Sequence, residues 1–130
     1  MKEILLTFDG GSLGNPGEGY GSYNIRIGNE DEPSFSEQRE VYGNNLTNNE
    51  AEYMALIKGV EKVLELYGEN IKLSIKGDSQ LVINQINGTY KVKSQNMVPL
   101  YKKIMKILGN ISEFKIEFWR RANSEREFGH

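Results

Sequence analysis

The chain has 130 residues, 38% of them hydrophobic and 26% charged, which fits one soluble globular domain with a sizeable core. It has no cysteine, which excludes disulfides and thiolate metal sites and fits a reducing, cytoplasmic setting; no apolar run approaches a membrane span, and Met1-Lys2-Glu3 opens no signal peptide. The formal net charge is -2 and the single histidine is His130, so any resident metal is expected to be a hard, oxygen-liganded ion such as magnesium or manganese.

Residues 3–9 read as a first, buried strand, Ile4-Leu5-Leu6-Thr7 being its apolar run. It delivers Asp9 to a glycine-dense turn, Gly10-Gly11-Ser12-Leu13-Gly14-Asn15-Pro16-Gly17, where glycine allows close backbone approach to a ligand. On its own this is equally a hairpin whose Asp9 satisfies turn amides. Gly19 to Ile27 alternates as a second strand, Gly28 to Pro33 is a polar turn, and Ser34 to Tyr42 is a third strand. Three strands on short turns form an antiparallel meander.

Thr47-Asn48-Asn49-Glu50 opens a helix, with Thr47 and Glu50 spaced as a capping box. The helix is expected to run to about Tyr67, with Tyr53, Leu56, Ile57, Val60, Val63, Leu64 and Tyr67 at helical spacing, and Gly68 ends it. Glu52 lies on the row 52–56–60–63, so it is expected to point toward the sheet and not to solvent. A carboxylate there is costly to bury unless something cationic compensates.

Ile71 to Gly77 alternates as a fourth strand and ends at Asp78. Ser79 to Ile86 follows at once as a second helix, and Asp78 or Ser79 could serve simply as its cap. Asn87-Gly88 breaks that helix, a third is expected from about Asn96 to Leu108, and Phe114 to Trp119 forms the fifth strand. Trp119 reads as core. Arg120 to His130 are too few for a long closing helix. Strands separated by helices pair in parallel through right-handed crossovers. The expected architecture is therefore α/β, a mixed five-stranded sheet flanked by about three helices, its first and fourth strands adjacent at the centre. Asp9 and Asp78 then lie near strand C-terminal ends, where open α/β sheets place their sites, with Glu52 entering from the helix above.

Three carboxylates converging without an evident basic partner repel one another and are driven toward protonation. A divalent cation reverses that balance. Two such ions about 4 Å apart suit phosphoryl transfer.

Asp9-Gly10-Gly11-Ser12 with Gly14-Asn15-Pro16-Gly17, Thr47-Asn48-Asn49-Glu50-Ala51-Glu52-Tyr53, and Asp78-Ser79-Gln80 together resemble the type 1 ribonuclease H family over essentially the whole chain. The resemblance implies the ribonuclease H-like fold and endonucleolytic cleavage of RNA in RNA–DNA hybrids. It further implies two magnesium ions, with manganese as a substitute, and 5′-phosphate and 3′-hydroxyl products. Asp9, Glu52 and Asp78 match the first three metal-binding acids. Asn15, Asn48, Asn49 and Gln80 match residues that line the minor groove, Ser12 joins them in substrate binding, and Thr47 matches a contact to the DNA-strand phosphate. Amides suit base edges and 2′-hydroxyls, so recognition is expected to follow shape and not sequence.

The family's fourth acid is an aspartate four residues after an asparagine. Here Asn123-Ser124-Glu125-Arg126-Glu127 puts Glu127 at that spacing, with Glu125 second, and no aspartate follows Asp78. Both glutamates could instead be solvated tail charges. The longer side chain suggests weaker magnesium activity or a manganese preference. A catalytic-loop histidine and a basic, Trp-rich substrate handle are absent, leaving Lys91, Lys93, Lys102, Lys103 and Lys106 as the local basic surface. No hybrid-binding domain is expected ahead of Met1, and the chain is expected to be a monomer. The rival expectation is a non-catalytic module of this fold that binds hybrid or double-stranded RNA. A third is a nuclease for a DNA junction, which Asn48, Asn49 and Gln80 disfavour.

Overall fold

The computed structural model describes residues 1–129; the expectation about His130 lies outside them. The elements are β1 (Lys2–Gly14), β2 (Gly17–Ile27), β3 (Phe35–Leu46), α1 (Asn48–Tyr67), β4 (Ile71–Gly77), α2 (Gln80–Ile86), α3 (Val98–Leu108), β5 (Glu113–Phe118) and α4 (Arg121–Phe128). The sheet order is β3-β2-β1-β4-β5, with β1, β2 and β3 antiparallel and β4 and β5 parallel to β1. β1 sits at the centre beside β4, as the crossover argument requires. Among the described residues no helix is long and apolar enough to cross a membrane.

The first strand differs from expectation. It does not stop at Asp9 but pairs with β2 through Ser12↔Gly19 to Gly14↔Gly17. The glycine stretch is therefore a hairpin arm, and the reversal occupies only Asn15 and Pro16 after Gly14, whose φ of 103° suits glycine. Asp9 stands inside β1, opposite Ser22.

Alternation on β1 sorts the two faces of the sheet. Ile4, Leu6 and Phe8 are buried under α1 with Leu56, Val60 and Val63, and they continue across β4 through Leu73 and Ile75. Each such side chain contributes roughly 1.5–3 kcal/mol relative to exposure. Thr7 and Asp9 are buried on the opposite face, next to Ser22 and Asn24 of β2. α4 covers that end of the opposite face.

α1 begins as the capping box predicts: Glu50 N donates to Thr47 Oγ1 at 3.2 Å and Thr47 N donates to Glu50 Oε1 at 3.0 Å. α3 starts at Val98, two residues later than expected, because Pro99 takes its first turn, where a missing N–H costs nothing. α4 is a fourth helix where none of length was expected. Eight residues form it because they dock: Ser124 and Phe128 are buried one turn apart, Trp119 Nε1 donates to Ser124 Oγ at 2.9 Å, and Gly129 closes it with φ of 75°. Trp119 is half-buried and holds this helix, so its role is wider than the core packing expected.

Candidate active site

Backbone register brings the three acids together. Phe8↔Gly77 is the last parallel pair between β1 and β4, so Asp9 and Asp78 are the next residue on each strand as the two part. Glu52 comes from the first turn of α1. That turn can lie on β1 only because residue 10 is glycine: a Cβ there would stand 2.6 Å from the Ala51 carbonyl oxygen and 2.8 Å from Glu52 Cα. The resulting cleft, about 280 Å³, is lined by Asp9, Gly10, Gly11, Ser12, Tyr20, Asn48, Glu52 and Arg121.

The electrostatics record the crowding. Burial pushes the Glu52 carboxyl up to about 8; the nearby Asp78 and Asp9 charges add to this, while a hydrogen bond with Ser79 and the Arg121 charge oppose it. Asp78 is also raised, first by burial, then by the Asp9 charge, with Arg121 opposing and a hydrogen bond with Asp9 adding to the rise. The acids are not without a basic partner, contrary to expectation. Arg121 Nη1 stands 3.3 Å from Asp78 Oδ2, the guanidinium largely exposed and the carboxylate buried.

Glu127 does not join the three acids. Thr7 Oγ1 donates to its Oε2 at 2.5 Å, Arg26 Nη1 donates to the same oxygen, and Arg26 Nη2 donates to Oε1 at 2.9 Å. Its carboxylate therefore sits one pleat along β1 from Asp9, beside Thr7. Burial alone would raise its pKa; the hydrogen bonds from Arg26, Thr7 and Asn24 and the Arg26 charge hold it below the ordinary glutamate value instead. Glu125 is exposed on α4. The fourth acid expected from spacing is thus satisfied elsewhere, by a cation on β2.

The expected substrate residues divide. Asn15, Asn48 and Ser12 form one network: Asn48 N donates to Asn15 Oδ1 at 3.1 Å, and Ser12 N donates to Asn48 Oδ1 at 2.8 Å. A backbone N–H can only donate, so the amide oxygens face inward and the NH₂ groups of Asn15 and Asn48 are the ends left to project. Asn49 is half-buried beside them, Thr47 is committed to its cap, and Gln80 is exposed at the first turn of α2. Sequence reasoning missed Tyr20 and Arg121. Tyr20 had no motif to mark it, although it follows the glycine hairpin, and Arg39 stacks over its ring at 4.3 Å. Lys91, Lys93, Lys102, Lys103 and Lys106 are all exposed, and Lys103 lies 3.7 Å from Glu61.

The donor set can be tested against a divalent ion. Asp9, Glu52 and Asp78 offer only oxygen ligands, and burial penalises the charge of Glu52 and Asp78, which suits a hard cation. Among the described residues no three His, Cys, Asp or Glu side chains are gathered closely enough to hold an ion, so the acids flank the cleft without enclosing it.

A family profile described as reverse transcriptase-like matches residues 8–125. A ribonuclease H of Campylobacter jejuni is 30% identical over 131 residues, covering 95% of this chain and 82% of its own. The chain belongs to the type 1 ribonuclease H family. The bifunctional protein Rv2228c of Mycobacterium tuberculosis is 31% identical over 124 residues, 94% of this chain but 32% of that protein, so the ribonuclease H chain described here spans about a third of this relative's length. Among solved structures, the N-terminal RNase H domain of rv2228c superimposes with a TM-score of 0.89 at 26% identity, over 99% of this chain and 92% of that one. LC11-RNase H1 in complex with an RNA/DNA hybrid gives 0.85 at 27% identity, over 96% and 92%. The ribonuclease H family generally works with divalent metal ions.

Proposed function

We propose that this chain is an endoribonuclease that hydrolyses the RNA strand of RNA–DNA hybrids, leaving 5′-phosphate and 3′-hydroxyl ends. The observation that carries the proposal is the adjacency of two features: a cleft lined by Asp9 and Glu52 and bordered by Asp78, and the Asn15–Asn48–Ser12 network on its rim. Asp9, Glu52 and Asp78 are the residues that would hold magnesium, or manganese in its place. A bound divalent ion would activate water and stabilise the leaving oxygen of a phosphodiester.

The chain's own part is binding and alignment. The NH₂ groups of Asn15 and Asn48 are donors aimed at minor-groove acceptors and 2′-hydroxyls, which separate an RNA strand from DNA. Glu52 lines the same cleft as Asn48 and Asp9, where it would accept from the 2′-hydroxyl at the cut. Arg121 meets the same polyanion as an exposed cation. A monomer and a cytoplasmic setting belong to this reading.

The alternative, a module of this fold that binds hybrid or double-stranded RNA without cutting, gains support from Arg121 on Asp78 and from the commitment of Glu127 to Arg26. One experiment decides between them: cleavage of a labelled hybrid in magnesium and in manganese, with Asp9→Asn beside it. Metal-dependent cutting of the RNA strand that Asp9→Asn abolishes supports the enzyme. Retained binding with no cutting in either metal overturns it in favour of the module.

A further inference from the structure

Glu127 holds the place in the chain where the family has its last metal-binding acid, yet both its oxygens are occupied by other partners. Arg26 is equally committed. Its Nε donates to the Asp31 carbonyl at 2.9 Å, which leaves Nη1 and Nη2 as a fork aimed at α4, and both are taken by Glu127. The two side chains are 16% and 11% exposed, so the pair is screened from solvent. Buried Asn24 adds its Nδ2, 3.5 Å from the Glu127 carbonyl oxygen.

For Glu127 to ligate an ion beside Asp9 it would have to abandon a two-pronged pair and leave a mostly buried guanidinium without its counter-charge. Removing one member of such a pair is strongly destabilising. α4 itself has eight residues, too short to be stable unless docked. Its place on the sheet is therefore set by what holds it, and that place puts Arg121 3.3 Å from Asp78.

We propose that Arg26 and Glu127 form a clamp that docks α4 and keeps Glu127 out of the metal site, so that α4 contributes a guanidinium, Arg121, and not a carboxylate, to the acidic cleft. Arg26 is then a positioning residue, acting on the cleft through the helix it anchors. The proposal rests on the reading of Asp9, Glu52 and Asp78 as a divalent-ion site.

Two measurements on the full chain test it: the melting temperature in chelator, and the dissociation constant for Mn²⁺ followed by electron paramagnetic resonance of the free ion. Glu127→Gln should lower the melting temperature by about 10 °C. Glu127→Asp, one methylene short of the fork, should lower it as well. In both, Mn²⁺ affinity should stay within about twofold of the parent chain, while Arg121→Gln should tighten it several-fold by removing a competing cation. If Glu127→Gln does not fold, Glu127→Asp carries the same comparison.

A tenfold loss of Mn²⁺ affinity in Glu127→Gln, or a tenfold gain in Glu127→Asp, overturns the exclusion of Glu127 from the site whatever the melting temperature does. Unchanged melting temperatures in both overturn the clamp. If the parent chain binds no Mn²⁺, the divalent-ion reading fails, and the clamp is judged by Arg26→Met with Glu127→Gln. The double variant should then melt no lower than the worse single variant, and additive losses overturn it.

Discussion

Glu52 offers the sharpest test of whether the acidic cleft is built for a cation. Its carboxyl, ordinarily titrating at 4.5, is pushed up to about 8 by burial and by the charges of Asp78 and Asp9. Between those values the folded protein holds a proton that the unfolded chain has released. Stability therefore falls as pH rises from about 4.5 to 8 and levels off above. At about 1.4 kcal/mol for each pH unit, the whole interval is at most about 5 kcal/mol, and the part between pH 5.5 and 8 about 3 kcal/mol. Asp78 is raised in the same direction. Glu127, held below its ordinary value, contributes stability that is lost only as pH falls through the acid range, outside this window. Urea unfolding in chelator at pH 5.5, 7 and 8 should show the parent chain losing stability across the series. Glu52→Gln should flatten that loss, both because Glu52 no longer ionises and because Asp78 loses a neighbouring charge. Magnesium or manganese added at pH 8 should recover the lost stability in the parent chain by binding only the folded state. Equal slopes in the parent chain and Glu52→Gln would refute the reasoning.

Three further outcomes follow from single contacts. Gly10→Ala places a methyl 2.6 Å from the Ala51 carbonyl and should push the first turn of α1 off β1; we expect a loss of about 1–3 kcal/mol by denaturant unfolding and at least tenfold slower hybrid cleavage, since Glu52 moves with that turn. Thr47→Ala removes the acceptor for Glu50 N and should cost about 1 kcal/mol, read as a lower melting temperature. Asn48→Asp keeps the oxygen that accepts from Ser12 N but replaces the outward donor with charge; the fold should survive while hybrid affinity, measured by fluorescence anisotropy, falls at least tenfold.

The parts of the site legible in the sequence are those set by local backbone pattern. Asp78 follows an alternating strand and precedes a helix, Glu52 lies on the apolar row of a capped helix, and Asp9 ends an apolar run, so each could be placed from its own neighbours. The far half of β1 was hidden because glycines replace the alternating side chains that mark a strand; its pairing comes from the opposite arm at Gly17 to Tyr20. α4 left a fainter signal. Ser124 and Phe128 are one turn apart and Gly129 follows as a left-handed cap, a pattern that means helix only once something exists for that turn to dock on.

What spacing could not convey is which partner a charge faces. Arg121 and Asp78 are 43 positions apart, and Arg26 and Glu127 are 101 apart. Counting from Asn123 places a carboxylate at the right position on α4, and position is all that counting fixes. The direction of a long, flexible side chain is decided by competition between the sites within its reach. Here one choice was a cleft already crowded by three acids, where a fourth negative charge is repelled. The other was a guanidinium whose Nε is held by the Asp31 carbonyl and whose fork matches a carboxylate in two prongs. The structure takes the second. An aspartate at position 127 would be too short to make that choice, so the Glu127 that departs from the family pattern is also the residue type that makes the Arg26 pairing possible.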